Sequence, residues 1–133
     1  MNADISNLGE LEMAVLEYVW EHKESDVKTA HRAIGEARGI THNTVQSTFK
    51  RLWEKGLLRR HKDGHAYIYA PRVNRRELTE MMVGDLVDQV AGAEMNVALE
   101  AFVNLADRAG EETLEALEAL VAARRQAQNE RDE

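Results

Sequence analysis

The dipeptide Asp63-Gly64 sits between two short β-compatible runs, and the chain ahead of it carries helical periodicity. That succession restricts the fold more than any other feature. The runs are Leu57 to Lys62 and His65 to Ala70; in the second, Ala66, Ile68 and Ala70 alternate with His65, Tyr67 and Tyr69. An Asp-Gly pair between such runs favours a two-residue hairpin turn. Upstream, Leu8, Leu11, Val15, Leu16, Val19 and Trp20 recur at spacings of three and four, the stripe of an amphipathic helix ending near His22. Asn7 with Glu10 reads as its capping box. Asp26 caps a second helix through Ala37, with Val27, Ala30, Ala33 and Ile34 inward, and Gly39 suits the left-handed residue beyond it. Thr41 caps a third helix to Lys55, stopped by Gly56, with Val45, Phe49, Leu52 and Trp53 inward. Only Arg38-Gly39-Ile40 joins the second helix to the third, so the two cross steeply, as in a helix-turn-helix. Three helices followed by a hairpin make a winged helix.

The remainder reads as helical. Asn74 and Glu77 form another capping box, opening a helix with Leu78, Met81, Met82, Leu86, Val87 and Val90 on one side and a break at Gly92. A further helix carries Met95, Leu99, Phe102, Val103 and Ala106 and ends at Arg108-Ala109-Gly110. The last starts near Glu111 with Leu114, Leu117, Leu120 and Val121, and its tail after Gln126 is expected to fray. The expected fold is mainly α, with a winged helix-turn-helix over residues 1–73 and a three-helix dimerisation region over 74–133. These last helices are short and thin in apolar residues, and a second copy of the same surface is the simplest remedy. Leu78, Met82, Leu86, Leu99, Phe102, Leu114, Leu117 and Val121 are the expected subunit contacts. Folding back onto the first domain as one monomeric core is the alternative.

The 133 residues include no cysteine, which excludes disulfides, thiolate metal sites and a cysteine nucleophile and allows a reducing cytoplasm, the expected location. No apolar run approaches the ~20 residues of a membrane span, so no membrane insertion is expected. The polar start MNADISNLGE does not read as a signal peptide. No H-E-x-x-H, G-x-S-x-G or phosphate-loop pattern occurs, so neither an enzyme nor a cofactor is expected. The histidines are His22, His31, His42, His61 and His65. His61 and His65 flank the hairpin turn and could meet across it, but without a third ligand no metal is expected.

The formal charge of -7 argues at first against a polyanionic partner. Its distribution reverses that argument. Residues 1–76 hold 13 Lys/Arg against 10 Asp/Glu (+3), and residues 77–133 hold 4 against 14 (-10). From Arg38 to Arg76, ten basic residues face only Glu54 and Asp63. Screening makes the distant acids nearly irrelevant beyond ~10 Å at 0.1 M salt. The expected outward side of helix 41–55 carries His42, Asn43, Gln46, Ser47 and Lys50, with Thr44, Thr48 and Arg51 at its margins. Asn43 or Gln46 suits an adenine edge and the Thr44 methyl suits thymine in the major groove of double-stranded DNA. Thr41 and the free N–H groups of the first turn suit a phosphate. Lys50 and Arg51 are better placed for the DNA backbone, and Arg59, Arg60 and Lys62 on the hairpin for flanking phosphates. The rival reading is a winged-helix adaptor whose basic face meets an acidic protein.

The segments LGELEMAVLEYVWEH, ITHNTVQSTFKRLWEKGLLRR and DGHAYIYAPRV resemble the BlaI/MecI family of penicillinase repressors, over about residues 6–121. The most specific part is T-V-x-x-x-x-x-R-L-x-x-K-G-L-L from Thr44 to Leu58, followed by a Y-x-Y wing at Tyr67 and Tyr69. The resemblance implies a homodimeric repressor on a dyad operator, with Thr44 and Gln46 in the base-reading region. In antibiotic-responsive members a membrane sensor triggers proteolysis at an Asn-Phe bond in the second C-terminal helix. The corresponding bond here is Ala101-Phe102, which departs from that pattern before the cut, and Phe102 reads equally as an interface residue. Copper-responsive relatives use a C-terminal cysteine cluster, which this chain lacks.

Overall fold

The structure is a computed structural model that describes residues 8–90 and 94–132; the expected roles of Asn7 and Gly92 lie outside them. Helix α1 (Glu10–His22) starts at Gly9 without a side-chain cap. Helix α2 (Val27–Ala30) is capped by Asp26, which accepts the Thr29 amide at 2.6 Å. It continues as a π-helical turn, His31–Gly35, closed by the Glu36 amide on the His31 carbonyl at 2.9 Å. This differs from the regular helix expected through Ala37. The wider π turn rotates the inward side, so Ala33 is exposed and Gly35 is buried in its place.

At Gly35 this turn packs close to the next helix. A Cβ there would lie 2.6 Å from the His31 ring and 3.1 Å from Val45. The ring cannot swing away freely, because its Nε2 donates to the Ile40 carbonyl at 2.8 Å. Gly35→Ala should therefore cost about 1–3 kcal/mol by overpacking, read as a fall in thermal midpoint with the native circular dichroism retained.

After the corner at Gly39 (φ 69), helix α3 (His42–Glu54) begins under its Thr41 cap. Strands β1 (Leu58–Asp63) and β2 (Ala66–Pro71) pair antiparallel with Asp63 opposite Ala66. The turn residues are thus Gly64 and His65, one step later than expected, because Gly64 takes the left-handed position (φ 67) as first residue of the turn. His61 consequently lies opposite Ile68, not His65. Ser25 bridges to Tyr69 through two backbone hydrogen bonds of 2.9 and 2.8 Å, anchoring the root of the hairpin.

The core joins Val15, Leu16 and Val19 of α1 to Val45, Phe49 and Leu52 of α3 and to Leu57, Leu58 and Tyr69 of the hairpin region. Two inward expectations on α3 change. Trp53 is 37% exposed, because a hairpin side chain covers only one of its faces. Thr48, expected at the outward margin, is fully buried, since its hydroxyl donates to the Thr44 carbonyl at 2.8 Å and needs no solvent.

Asn74 and Glu77 exchange reciprocal backbone–side-chain bonds of 2.8 and 3.1 Å at the start of α4 (Arg75–Val90). One compact unit closes at Leu86 and a second begins at Val87. The first runs past the expected boundary at residue 73, because Leu78 is 2% exposed within the winged-helix core and Met82 packs against that core. Leu78 is therefore a core residue and not a subunit contact. In the second unit α5 (Met95–Ala109) turns at Gly110 into α6 (Glu111–Asp132). The expected fraying after Gln126 is not found: α6 continues to Asp132, supported by Gln126 donating to Glu130 at 3.2 Å one turn on.

Candidate nucleic-acid interface

The geometry of α3 follows from its cap and its buried side. Thr41 Oγ1 accepts the Thr44 amide at 3.2 Å, leaving the His42 and Asn43 amides without helical acceptors. Val45, Thr48, Phe49 and Leu52 are buried, which turns His42, Asn43, Thr44, Gln46, Ser47, Lys50 and Arg51 to solvent. Every one of these seven is exposed, and none is acidic.

Their hydrogen bonds separate them further. The Thr44 hydroxyl shares a 3.0 Å bond with Thr41, so its methyl is the part left to a partner. Ser47 Oγ donates to the Asn43 carbonyl at 3.0 Å, and Arg51 donates to Thr48 Oγ1 at 3.2 Å along the helix flank. Among the described residues, the side chains of Asn43, Gln46 and Lys50 make no hydrogen bond or ion pair, and are ready to make new ones.

Between α3, the start of α2 and the hairpin lies a cleft of about 410 Å³ lined by Asp26, Lys28, His42, Gln46, Lys62 and Tyr67, among others. Asp26 is the acid in this wall. Hydrogen bonds from the Thr29 backbone and side chain, with Lys28 and Arg32 nearby, hold its carboxyl below the usual carboxylate range. Its charge is thus engaged in capping α2. His42 sits edge-on to His31, with ring centroids 5.8 Å apart.

The ten basic residues of 38–76 divide into engaged and free. Arg38 and Arg72 are exposed and in no ion pair among the described residues, outside α3 and the hairpin strands. Lys55 pairs with Glu12 at 2.9 Å, Arg75 with Glu17 at 3.4 Å and Arg76 with Glu80 at 3.7 Å. Arg60, expected on a phosphate, lies 3.5 Å from the Trp53 ring centre and 4.0 Å from that of Tyr67. Lys50, Arg51, Arg59 and Lys62 remain exposed and outside any ion pair among the described residues. Sequence reasoning missed the Trp53–Arg60–Tyr67 stack. Strand alternation was the available signal, because it puts Arg60 and Tyr67 on one face of the hairpin.

In the second unit Leu99 (52%), Phe102 (38%) and Val121 (50%) are exposed, while Leu114 and Leu117 of α6 are half-buried. Leu86, at the end of the first unit, is 59% exposed. Ala101 and Phe102 lie mid-helix in α5. Among the described residues, no helix is long and apolar enough to cross a membrane. Nor do three or more His, Cys, Asp or Glu side chains among them gather into a metal site.

A family model described as penicillinase repressor matches residues 8–123. The transcriptional regulator BlaI of Mycobacterium tuberculosis is 33% identical over 122 residues, covering 90% of this chain and 86% of that protein. The penicillinase repressor of Bacillus licheniformis is 22% identical over 108 residues, covering 81% and 84%. The solution structure of the DNA-binding domain of the repressor BlaI superposes with a TM-score of 0.51 at 23% identity, over 58% of this chain and 93% of that one, and bears on the fold alone.

Proposed function

Because the chain belongs to the penicillinase repressor family, whose members are transcriptional repressors and not enzymes, we propose that it represses transcription as a homodimer on a dyad-symmetric operator. The carrying observation is the exposed, acid-free side of α3, where Asn43, Gln46 and Lys50 have no partner within the described protein. Such a surface fits a major groove, with Asn43 and Gln46 on base edges and Lys50 on phosphate. Lys62 and Arg59 add phosphate contacts from the wing. Two recognition helices on one face of the duplex require half-sites about one helical turn apart. The protein acts in the cytoplasm.

The exposed apolar residues of α5 and α6 support the second copy. Among the described residues α6 buries none, and α5 buries only Ala98 and Ala106. Helices of this kind gain stability chiefly by packing an apolar face. A cut at Ala101-Phe102 would divide α5 in its middle, which is how a membrane sensor protease would release the repressor.

The test is a titration of the chain's own upstream intergenic DNA against a scrambled duplex. Gln46→Ala or Asn43→Ala should cost about 1–3 kcal/mol on operator and relax base preference. Lys50→Ala should weaken both duplexes alike. Equal losses on both DNAs for all three variants would remove the assignment of roles, and no preference by the native chain would remove the reading itself. An acidic protein partner would leave the native chain indifferent to the operator.

A further inference from the structure

We propose that Arg60 is a positioning residue that aims the wing, and that the wing's cation in the cleft is Lys62; this rests on the DNA-binding reading above. From residue 61 to residue 67 every hairpin residue is exposed, so the outer wing projects beyond the core. Arg60 stands at the root of that projection. Its guanidinium lies between the Trp53 indole at 3.5 Å and the Tyr67 phenol at 4.0 Å, and Nη1 donates to the Tyr69 hydroxyl at 3.3 Å. Both rings lie within cation–π distance of the guanidinium. Tyr69 is itself 2% exposed, packed on Phe49 at 4.8 Å and bonded through its backbone to Ser25. The guanidinium therefore joins three fixed points: the C-terminal turn of α3, the root of β2 and the outer part of β2.

The stack continues outward. Lys62 Nζ lies 5.6 Å from the other end of the series, the Tyr67 ring, and lines the cleft shared with Gln46 and His42. Trp53, Arg60, Tyr67 and Lys62 alternate π face and cation from the recognition helix to the wing tip. Arg60 acts through this series by fixing where Lys62 stands relative to Gln46. Strand alternation turns Arg59 to the opposite face of β1, so the two adjacent arginines have different tasks.

Salt dependence separates aiming from contact. Arg60→Gln should lower operator affinity about tenfold without changing the slope of log affinity against log salt, because the loosened wing still brings Lys62 to phosphate but must be ordered on binding. Lys62→Gln should lower the magnitude of that slope by about two per dimer. Arg60→Lys keeps the charge but not the planar face, so it should behave like Arg60→Gln. Trp53→Ala should reproduce the loss, and the Trp53→Ala, Arg60→Gln double variant should be no worse than either single one. A DNA-free measurement runs beside these: amide exchange at residues 61–67 should accelerate in Arg60→Gln, with Val15 and Val19 as protected as in the native chain. A reduced slope with Arg60→Gln, full rescue by Arg60→Lys and unchanged wing exchange would show a phosphate contact and overturn the proposal. If the native chain binds no DNA, the function reading fails, and unaccelerated exchange in Arg60→Gln would then separately refute the clamp.

Discussion

Raising monovalent salt from about 50 to about 200 mM should weaken operator binding by about 10⁴-fold. The expectation follows from which cations are free. Lys55, Arg75 and Arg76 are held by Glu12, Glu17 and Glu80, and Arg60 is enclosed by aromatic rings. Lys50, Arg51, Arg59 and Lys62 remain exposed on α3 and the wing. In the proposed dimer two protomers would supply about eight phosphate contacts from these four, each releasing condensed counterions with a slope near 0.9 per contact. Fluorescence anisotropy on a labelled operator measures the slope directly. A nearly flat dependence would mean that these cations do not meet phosphate, and would favour base-edge or protein contacts in their place.

If the proposed dimer forms through α5 and α6, Phe102→Asp should convert the protein to a monomer at concentrations where the dimer is expected. Phe102 is 38% exposed on α5, near the exposed Leu99 and Val103. A carboxylate at that position would have to be desolvated across the interface without a partner. The monomer keeps its winged helix, so affinity for a half-site should be unchanged. Affinity for the full dyad should fall by about 10²–10⁴-fold, the advantage of linking two half-site contacts. Sedimentation velocity reads the first effect and a comparison of half and full operators reads the second. A variant that remains dimeric would place the interface elsewhere.

What could be read in the sequence was local. The caps at Asp26, Thr41 and Asn74–Glu77 work over three residues, and all are present. The outward side of α3 was legible because a 3.6-residue period sorts Val45, Phe49 and Leu52 from Asn43, Gln46 and Lys50. Periodicity identifies an apolar residue but not its neighbour, so Leu78 was expected at a subunit contact and belongs to the winged-helix core. Thr48 departs from the expected margin for the opposite reason, since a hydroxyl bonded to its own helix can be buried. Trp53 and Arg60 depend on the wing's approach to α3, a tertiary event with no local signature. The π turn at His31–Gly35 likewise has no local signature, and its Gly35 packs close to Val45 of α3.

The wing is a two-stranded sheet, and β1 has no further strand along its outer side among the described residues. Unpaired backbone groups on such a side invite strand addition between molecules, and charged side chains such as lysine discourage it. Arg59, His61, Lys62 and Asp63 lie along that strand. The charges suited to a polyanion therefore also keep free molecules from zipping together wing to wing, so neutralising them to loosen operator binding would trade affinity for a propensity to aggregate.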